Sequence, residues 1–137
     1  MGWIQNISML RAKEGDHPNP GENSMLIQIV DPAFGFPKTK YKFSEVYQFE
    51  FLDLEEDDNY YDEAKITYGQ AWDIVEALQW AVDNDMNVIV HCHMGHCRSG
   101  AVCEVGVMMG LRDRETYRNP NTLVKKMLMK VLGWTYE

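Results

Sequence analysis

The stretch "NVIVHCHMGHCRSGAV", residues 87–102, sets a polar loop between two apolar runs. The first run, residues 87–92, is apolar on both faces, as expected of a strand in a parallel sheet that helices cover. The run after the loop, residues 100–111, is apolar almost all round, which favours a buried helix. This stretch therefore predicts a strand, a tight loop and a buried helix in succession.

Two further strands are predicted upstream. Residues 24–30 are apolar and rich in β-branched side chains, and Asp31 and Pro32 close the run, a combination typical of a strand that ends in a turn. Residues 46–54 alternate in part and are rich in Val, Tyr and Phe, which indicates a second strand. With residues 87–92, these runs predict a sheet of at least three strands.

Two amphipathic helices complete the pattern. Thr67 stands three residues before Gln70, the spacing of a capping box, and an apolar face follows, so we predict a helix over residues 68–84. A second helix follows Asn-Pro near residue 120 and stops at Gly133. Alternating strands and helices predict an α/β fold, with a central, mostly parallel sheet flanked by helices. We expect one domain over residues 1–137.

Composition narrows the classes of partner. The chain has 137 residues and a net charge of −8, with acidic residues concentrated between 53 and 63, so the average field would repel nucleic acid. We find no leader pattern and no apolar run near the roughly 20 residues of a membrane span. Three closely spaced cysteines are not the disulfide framework of a secreted domain. We therefore expect a cytoplasmic protein that binds neither nucleic acid nor membrane.

The central loop has the composition of an anion site with a nucleophile. A tight loop that enters a helix points its N–H groups into its own hollow, and the helix dipole adds positive charge. Arg98 can bind two oxygens of an anion with its planar fork. Thiols that face such donors ionise at neutral pH, so we predict that Cys92 is a thiolate aimed at the anion. Ser99 is placed to donate a hydrogen bond to that sulfur when a phosphocysteine breaks down.

The sequence "VHCHMGHCRSGAV" resembles the signature H-C-x5-R-S/T of the cysteine-dependent protein tyrosine and dual-specificity phosphatases. Five positions match it: His91, Cys92, Gly95, Arg98 and Ser99. The likeness in layout to the small dual-specificity-like phosphatases extends over roughly residues 25–112. It implies hydrolysis of a phosphomonoester through a cysteinyl-phosphate intermediate, with no metal or cofactor. The implied partner is a phosphoprotein or phosphopeptide that carries phosphotyrosine or, if the pocket is shallow, phosphoserine or phosphothreonine.

The resemblance also implies which residues contact the substrate. The phosphate is held by the loop residues His93, Met94, Gly95, His96, Cys97 and Arg98. We expect the side chains of His93 and His96 to shape the rim of the pocket, because the backbone amides of the loop face the anion. His91 is expected to orient the loop and not to react.

Phosphatases of this family take the proton for the leaving group from an aspartate about 30–40 residues before the cysteine. Four aspartates lie at that distance: Asp53, Asp57, Asp58 and Asp62. We favour Asp58, because matching the start of the predicted helix to the family's equivalent helix puts the donor near 57 or 58. Asp53 falls inside the predicted strand, and Asp62 lies nearer the helix.

Other classes of site fit parts of the same loop. The run "HCHMGHC" offers five nitrogen and sulfur ligands, as a zinc or copper site would, yet His17 is the only other histidine and no second cluster exists. A rhodanese-like sulfurtransferase also begins its loop with a cysteine after a strand, but Arg98 and Ser99 favour phosphate. A non-catalytic phosphate- or metal-binding module is the third alternative.

Cys97 carries a separate hypothesis. It stands immediately before Arg98, where the low-molecular-weight tyrosine phosphatases also have a cysteine, which there can close a disulfide with the nucleophile. A neighbouring thiol that traps a sulfenic acid prevents irreversible oxidation. The alternative is that Cys97 only fills space in the loop. Cys103, on the apolar helix, is expected to be in the core.

Overall fold

A parallel sheet forms the centre of the fold in the computed structural model, which describes residues 1–58 and 62–136. The strands are β1 (Trp3–Ser8), β2 (Ser24–Val30), β3 (Glu45–Glu50), β4 (Asn87–Cys92) and β5 (Arg112–Asp113). They lie in the order β3-β2-β4-β1-β5, and every adjacent pair is parallel. The helices are α1 (Met9–Glu14), α2 (Tyr68–Asp83), α3 (Arg98–Met109) and α4 (Thr122–Leu132), with a short 3-10 turn at Asp62–Ala64. The predicted α/β fold is confirmed.

Each face of the sheet has its own apolar cluster. Val88 and Val90 of β4 belong to the larger cluster, which α2, α3 and α4 cover. Ile89, between them, belongs to a smaller cluster on the opposite face, together with Ala12 of α1. This alternation follows from the two-residue period of a strand. Since each fully buried aliphatic side chain contributes about 1.5–3 kcal/mol, both faces of β4 help to stabilise the loop that follows it.

The strand β1 and the helix α1 are not predicted from the sequence. Polar residues Gln5 and Asn6 interrupt the apolar character of β1, although both are buried. The strand is held by β4, with a register that runs from Ile4 opposite Val88 to Ser8 opposite Cys92. β1 therefore ends beside the predicted nucleophile.

The strand β3 is shorter than predicted. It ends at Glu50, and the prediction that it continues to residue 54 is wrong. Beyond it, the Leu52 N–H donates to the carbonyl of Ala64 at 2.8 Å, and the Phe51 carbonyl accepts from the side chain of Arg98. The Phe51 N–H still donates to the Val30 carbonyl of β2 at 3.1 Å, and residues 52–54 leave the sheet and run toward the central loop.

The predicted helices are present with small differences at their ends. The capping box is confirmed: the Gln70 N–H donates to Oγ1 of Thr67 at 3.0 Å, and the Thr67 N–H donates to Oε1 of Gln70 at 2.9 Å. Gly133 ends α4 in the left-handed conformation, with a φ of 74°. α3 begins at Arg98, two residues earlier than expected. No helix in the described part of the chain is long and apolar enough to cross a membrane.

Candidate active site

The central loop lies at the carboxyl edge of the sheet. β4 ends at Cys92, residues 93–97 form the loop, and α3 begins at Arg98. β1 ends at Ser8 beside Cys92, and Asp31 follows the end of β2. In open α/β sheets ligands bind at this edge, where several strands end together.

The first half of the loop is tied to β1 and α1 through its carbonyl groups. The His93 carbonyl accepts from the Met9 N–H at 3.2 Å. The Gly95 carbonyl accepts from Nδ2 of Asn6 at 2.7 Å, inside the protein. Asn6 is thus a positioning residue that the sequence did not reveal, because its partner is 89 residues away.

The second half of the loop is tied to the segment before α4. The His96 carbonyl accepts from the Asn119 N–H at 3.0 Å, and the Cys97 carbonyl accepts from the Asn121 N–H at 3.0 Å. Asn121 also caps α4, since its side chain accepts from the Val124 N–H. Four of the five carbonyls of residues 93–97 therefore accept hydrogen bonds from the surrounding protein.

The N–H groups of the loop, unlike its carbonyl groups, have no partners among the described residues. Within residues 1–58 and 62–136, the backbone N–H groups of residues 93–97 donate to no protein acceptor. His93 and Met94 are exposed, whereas Gly95 is buried and His96 and Cys97 are half-buried, and buried or half-buried backbone donors normally have a partner. Unpartnered donors in a loop that leads into the start of a helix are the arrangement that binds a phosphate-like anion.

Gly95 lets the loop rest on β1. Its φ is +81°, a left-handed conformation, and a Cβ built on it would lie 2.3 Å from the backbone of Ile7 and of Ser8. Such distances exclude any side chain unless the backbone moves. The glycine of the motif therefore allows the backbone of the loop to contact the backbone of β1.

Cys92 and Ser99 are adjacent at the floor of the loop. The Cys92 Sγ and the Ser99 Oγ are 3.1 Å apart, and both residues are buried. This distance allows the hydroxyl to donate to a thiolate. The predicted pairing of Ser99 with the sulfur thus has the geometry it needs.

Arg98 is held along one edge of its guanidinium. Its Nη1 donates to Oδ1 of Asp31 at 2.7 Å and to the carbonyl of Phe51 at 2.8 Å. Its Nε is buried and has no hydrogen-bond partner among the described residues. One edge is therefore anchored, while the edge that includes Nε keeps donors for two oxygens of an anion. Asp31, read from the sequence only as a turn residue, is the charged anchor.

His91 lies beneath the loop and is fully buried. Burial lowers its pKa to about 4, and the positive charge of Arg98 adds to this effect, whereas the backbone of Cys92 opposes it. The imidazole is therefore neutral near pH 7. Neither ring nitrogen has a hydrogen-bond partner among the described residues, so the ring packs beneath the loop without the hydrogen bonds that would orient it.

A cavity of about 460 Å³ opens above the loop. Its lining residues are Asp31, Leu52, Asp53, Leu54, Cys92, His93, Met94, His96, Cys97 and Arg98. Every residue predicted to contact substrate lines this cavity except Gly95, which lies on the side of the loop that packs against β1. Three further lining residues, Leu52, Asp53 and Leu54, come from the segment after β3.

Asp53 is the acidic side chain of that segment. Its Oδ1 accepts from Nδ2 of Asn121 at 2.7 Å, which holds the carboxylate at the cavity wall. Burial raises the pKa of the Cys97 thiol above its ordinary value, and the negative charges of Asp53 and of Cys92 raise it further. Asp53, Cys97 and Cys92 all line the same cavity.

The other aspartates have different surroundings. Oδ2 of Asp58 accepts from the Glu55 N–H at 2.8 Å, so this carboxylate closes its own turn, and Asp58 is not among the cavity's lining residues. Asp57 is exposed beside Glu55. The side chain of Asp62 and residues 59–61, part of the loop expected to set the depth of the pocket, lie outside the described residues. Asp53 was set aside because it fell in a predicted strand, and that premise is wrong.

The histidines of the loop diverge. His93 is exposed, with its ring centroid 6.5 Å from that of Phe34, and His96 packs edge-on against Tyr117 at 4.9 Å. Among the described residues, no group of three or more His, Cys, Asp or Glu side chains is arranged to hold a metal ion. Cys103 is fully buried in α3, as expected, and burial raises its pKa to about 12.

No protein-family model matches this chain, and no curated protein matches it either.

Proposed function

We propose that this protein is a cysteine-dependent phosphatase of the tyrosine/dual-specificity type, acting on phosphotyrosine and on any phosphoserine or phosphothreonine that the cavity admits. The observation that carries the proposal is the set of unpartnered donors around Cys92: the loop N–H groups and the free edge of Arg98. Unpartnered donors in a loop that begins at a buried cysteine suit a tetrahedral dianion better than a sulfane sulfur or a metal ion.

In the first step, the loop N–H groups and Arg98 bind the oxygens of the phosphoryl group. The Cys92 thiolate attacks phosphorus, an S–P bond forms, and the bond between phosphorus and the leaving oxygen breaks with its electron pair. That oxygen takes a proton from a carboxylic acid. The anchored edge of Arg98 keeps the guanidinium in place while charge develops, so little reorganisation is needed.

We assign the proton to Asp53, whose carboxylate is held at the cavity wall by Asn121. Asp58, the residue favoured by the resemblance, remains the alternative. Its carboxylate would have to leave the Glu55 N–H to reach the cavity. A general acid must lie within reach of the atom that it protonates, and this favours Asp53, which already lines the cavity.

In the second step, water attacks the phosphocysteine. The carboxylate left by the first step accepts a proton from the water, an O–P bond forms, and the S–P bond breaks with its electron pair on sulfur. Ser99, 3.1 Å from the Cys92 Sγ, donates a hydrogen bond that stabilises the departing thiolate. Inorganic phosphate leaves, and the enzyme returns to its starting state.

The test is hydrolysis of a chromogenic aryl phosphate in the presence of a metal chelator. We expect turnover in the wild type and none above background in Cys92→Ser, because an alcohol is a far weaker nucleophile. Retained turnover in Cys92→Ser would refute the mechanism. Release of thiocyanate from thiosulfate and cyanide, without aryl phosphate hydrolysis, would assign a sulfurtransferase instead.

A matched pair of variants identifies the acid. Asp53→Asn should lower kcat about 100-fold and remove the basic limb of the pH profile, since general acids contribute roughly 10²–10⁴-fold. Asp58→Asn should stay near the wild type. The reverse result would assign the proton to Asp58.

A further inference from the structure

A second cavity lies beside the first and shares two residues with it. It has a volume of about 480 Å³ and is lined by Ser8, Met9, Leu10, Lys13, Phe34, His93 and Met94. His93 and Met94 line both cavities. The two cavities therefore share a wall, which His93 and Met94 form.

The lining of this second cavity is mainly apolar and unusually exposed. Leu10, Phe34 and Met94 are 61%, 62% and 62% exposed. They come from three separate parts of the fold: α1, the turn after β2, and the central loop. Apolar side chains that converge at one exposed place from separate elements indicate a binding surface.

The turn that presents Phe34 is strained. Ala33 has a φ of 65°, which is uncommon for a residue with a side chain. Two hydrogen bonds hold the turn: the Ala33 N–H donates to Oε1 of Glu50 at 2.8 Å, and the Phe34 N–H donates to the carbonyl of Asp31 at 3.0 Å. Strain of this kind persists where the surrounding structure needs the conformation. Here it holds Phe34 out in solvent, with its ring against His93.

We propose that this second cavity is a specificity subsite for a large apolar side chain, Leu, Met or Phe, that lies two residues before or after the phosphorylated residue of a peptide substrate. The inference rests on the proposed phosphatase function. Residues two apart in an extended peptide are about 7 Å apart and point to the same side, which suits two cavities that share a wall. Lys13 at the rim adds a positive charge for the anionic peptide.

The apolar tail of a lipid phosphate is the other ligand that such a pair of cavities could take. The net charge of −8 disfavours approach to an anionic membrane surface, where many like charges act at once, whereas a single peptide presents one phosphate next to the positive charge of Lys13. A phosphopeptide is therefore the occupant that the charge favours.

The test compares phosphotyrosine peptides that differ only in the flanking residues. One carries Leu two residues before and after the phosphotyrosine, and the other carries Ser at both positions. We expect the wild type to prefer the Leu peptide about tenfold in kcat/KM, mostly through KM, since burying part of a leucine side chain is worth about that factor. In Leu10→Ser and in Phe34→Ser the preference should fall to about twofold or less.

Met108→Ser is the control, because Met108 is also an exposed apolar residue of a helix and lies outside both cavities. It should keep the tenfold preference. Equal rates on the two peptides in the wild type would overturn the proposal, as would a preference that survives both subsite variants. Selection of long-chain over short-chain alkyl phosphates, without peptide preference, would assign the cavity to a lipid and also overturn it. Hydrolysis of the small aryl phosphate reports separately on the proposed phosphatase function.

Discussion

Replacing Gly95 by alanine tests whether contact between the central loop and β1 sets the geometry of the site. Gly21 provides a matched control, because both glycines have a φ of +81°. A Cβ at Gly21 would meet nothing within 4 Å, whereas one at Gly95 would lie 2.3 Å from the backbone of Ile7 and Ser8. The two variants share the conformational strain and differ in the collision.

The magnitudes follow from these distances. An alanine in the left-handed conformation costs about 1–2 kcal/mol, which applies to both variants. At Gly95 the new methyl group must also move about 1 Å from the β1 backbone to reach ordinary contact, given that carbon contacts are most favourable near 3.5–4.0 Å. Since a misplacement of about 1 Å at a reacting group costs about 100-fold in rate, we expect that loss in kcat/KM for Gly95→Ala.

Urea denaturation and aryl phosphate kinetics measure the two effects. Gly21→Ala should lose about 1–2 kcal/mol in the free energy of unfolding and keep its kcat/KM. Gly95→Ala should lose more than the control in stability and about 100-fold in kcat/KM. Equal stability losses in the two variants, with kcat/KM within threefold of the wild type, would refute the view that β1 supports the loop.

Three further outcomes follow from the site. Asp31→Asn removes the charge that anchors Arg98, and because Asp31 is about half exposed we expect transition-state binding to weaken by about 1 kcal/mol. This loss should appear as a roughly fivefold drop in kcat/KM and as weaker inhibition by inorganic phosphate. Unchanged constants would contradict the anchoring role. His91 has a folded pKa of about 4, below its unfolded value of about 6.5, so the unfolded state binds more protons below pH 6.5. The free energy of unfolding should therefore fall by about 2 kcal/mol between pH 7 and pH 5, and His91→Gln should lack this component in urea titrations at the two pH values. Mild peroxide should oxidise Cys92 to a sulfenic acid; the Cys97 thiol then attacks that sulfur, a disulfide forms and water is released. Mass spectrometry should show a loss of two hydrogens in the peptide that contains both cysteines. Overoxidation of Cys92 in place of the disulfide would exclude the pair.

Local patterns predicted the parts of the molecule whose partners are close in sequence. The capping box of Thr67 and Gln70, the stop at Gly133 and the apolar strand before Cys92 depend on residues within one turn or one run, and all are present. The central loop is likewise a feature that residues close in sequence predict. Its strand, its glycine and its arginine are contiguous, so their spacing alone predicted the layout.

Local patterns failed where a residue's partner is distant. The strand β1 is short and contains polar residues, and only pairing with β4 and β5 makes it a strand. The end of β3 at Glu50 depends on Arg98, since the Phe51 carbonyl turns to that side chain. No propensity within residues 46–54 contains that information.

The sequence by itself determined the chemistry at the loop: a cysteine, a serine and an arginine, spaced so that one strand, one turn and one helix bring them together. Only the tertiary structure decided what surrounds them. Asp31 anchors Arg98 across 67 residues, Asn6 holds the Gly95 carbonyl across 89, and Asp53 reaches the cavity because Asn121 binds it across 68. These contacts depend on the order of strands in the sheet and on where β3 ends. The packing of the whole chain sets both, and no short segment carries that information.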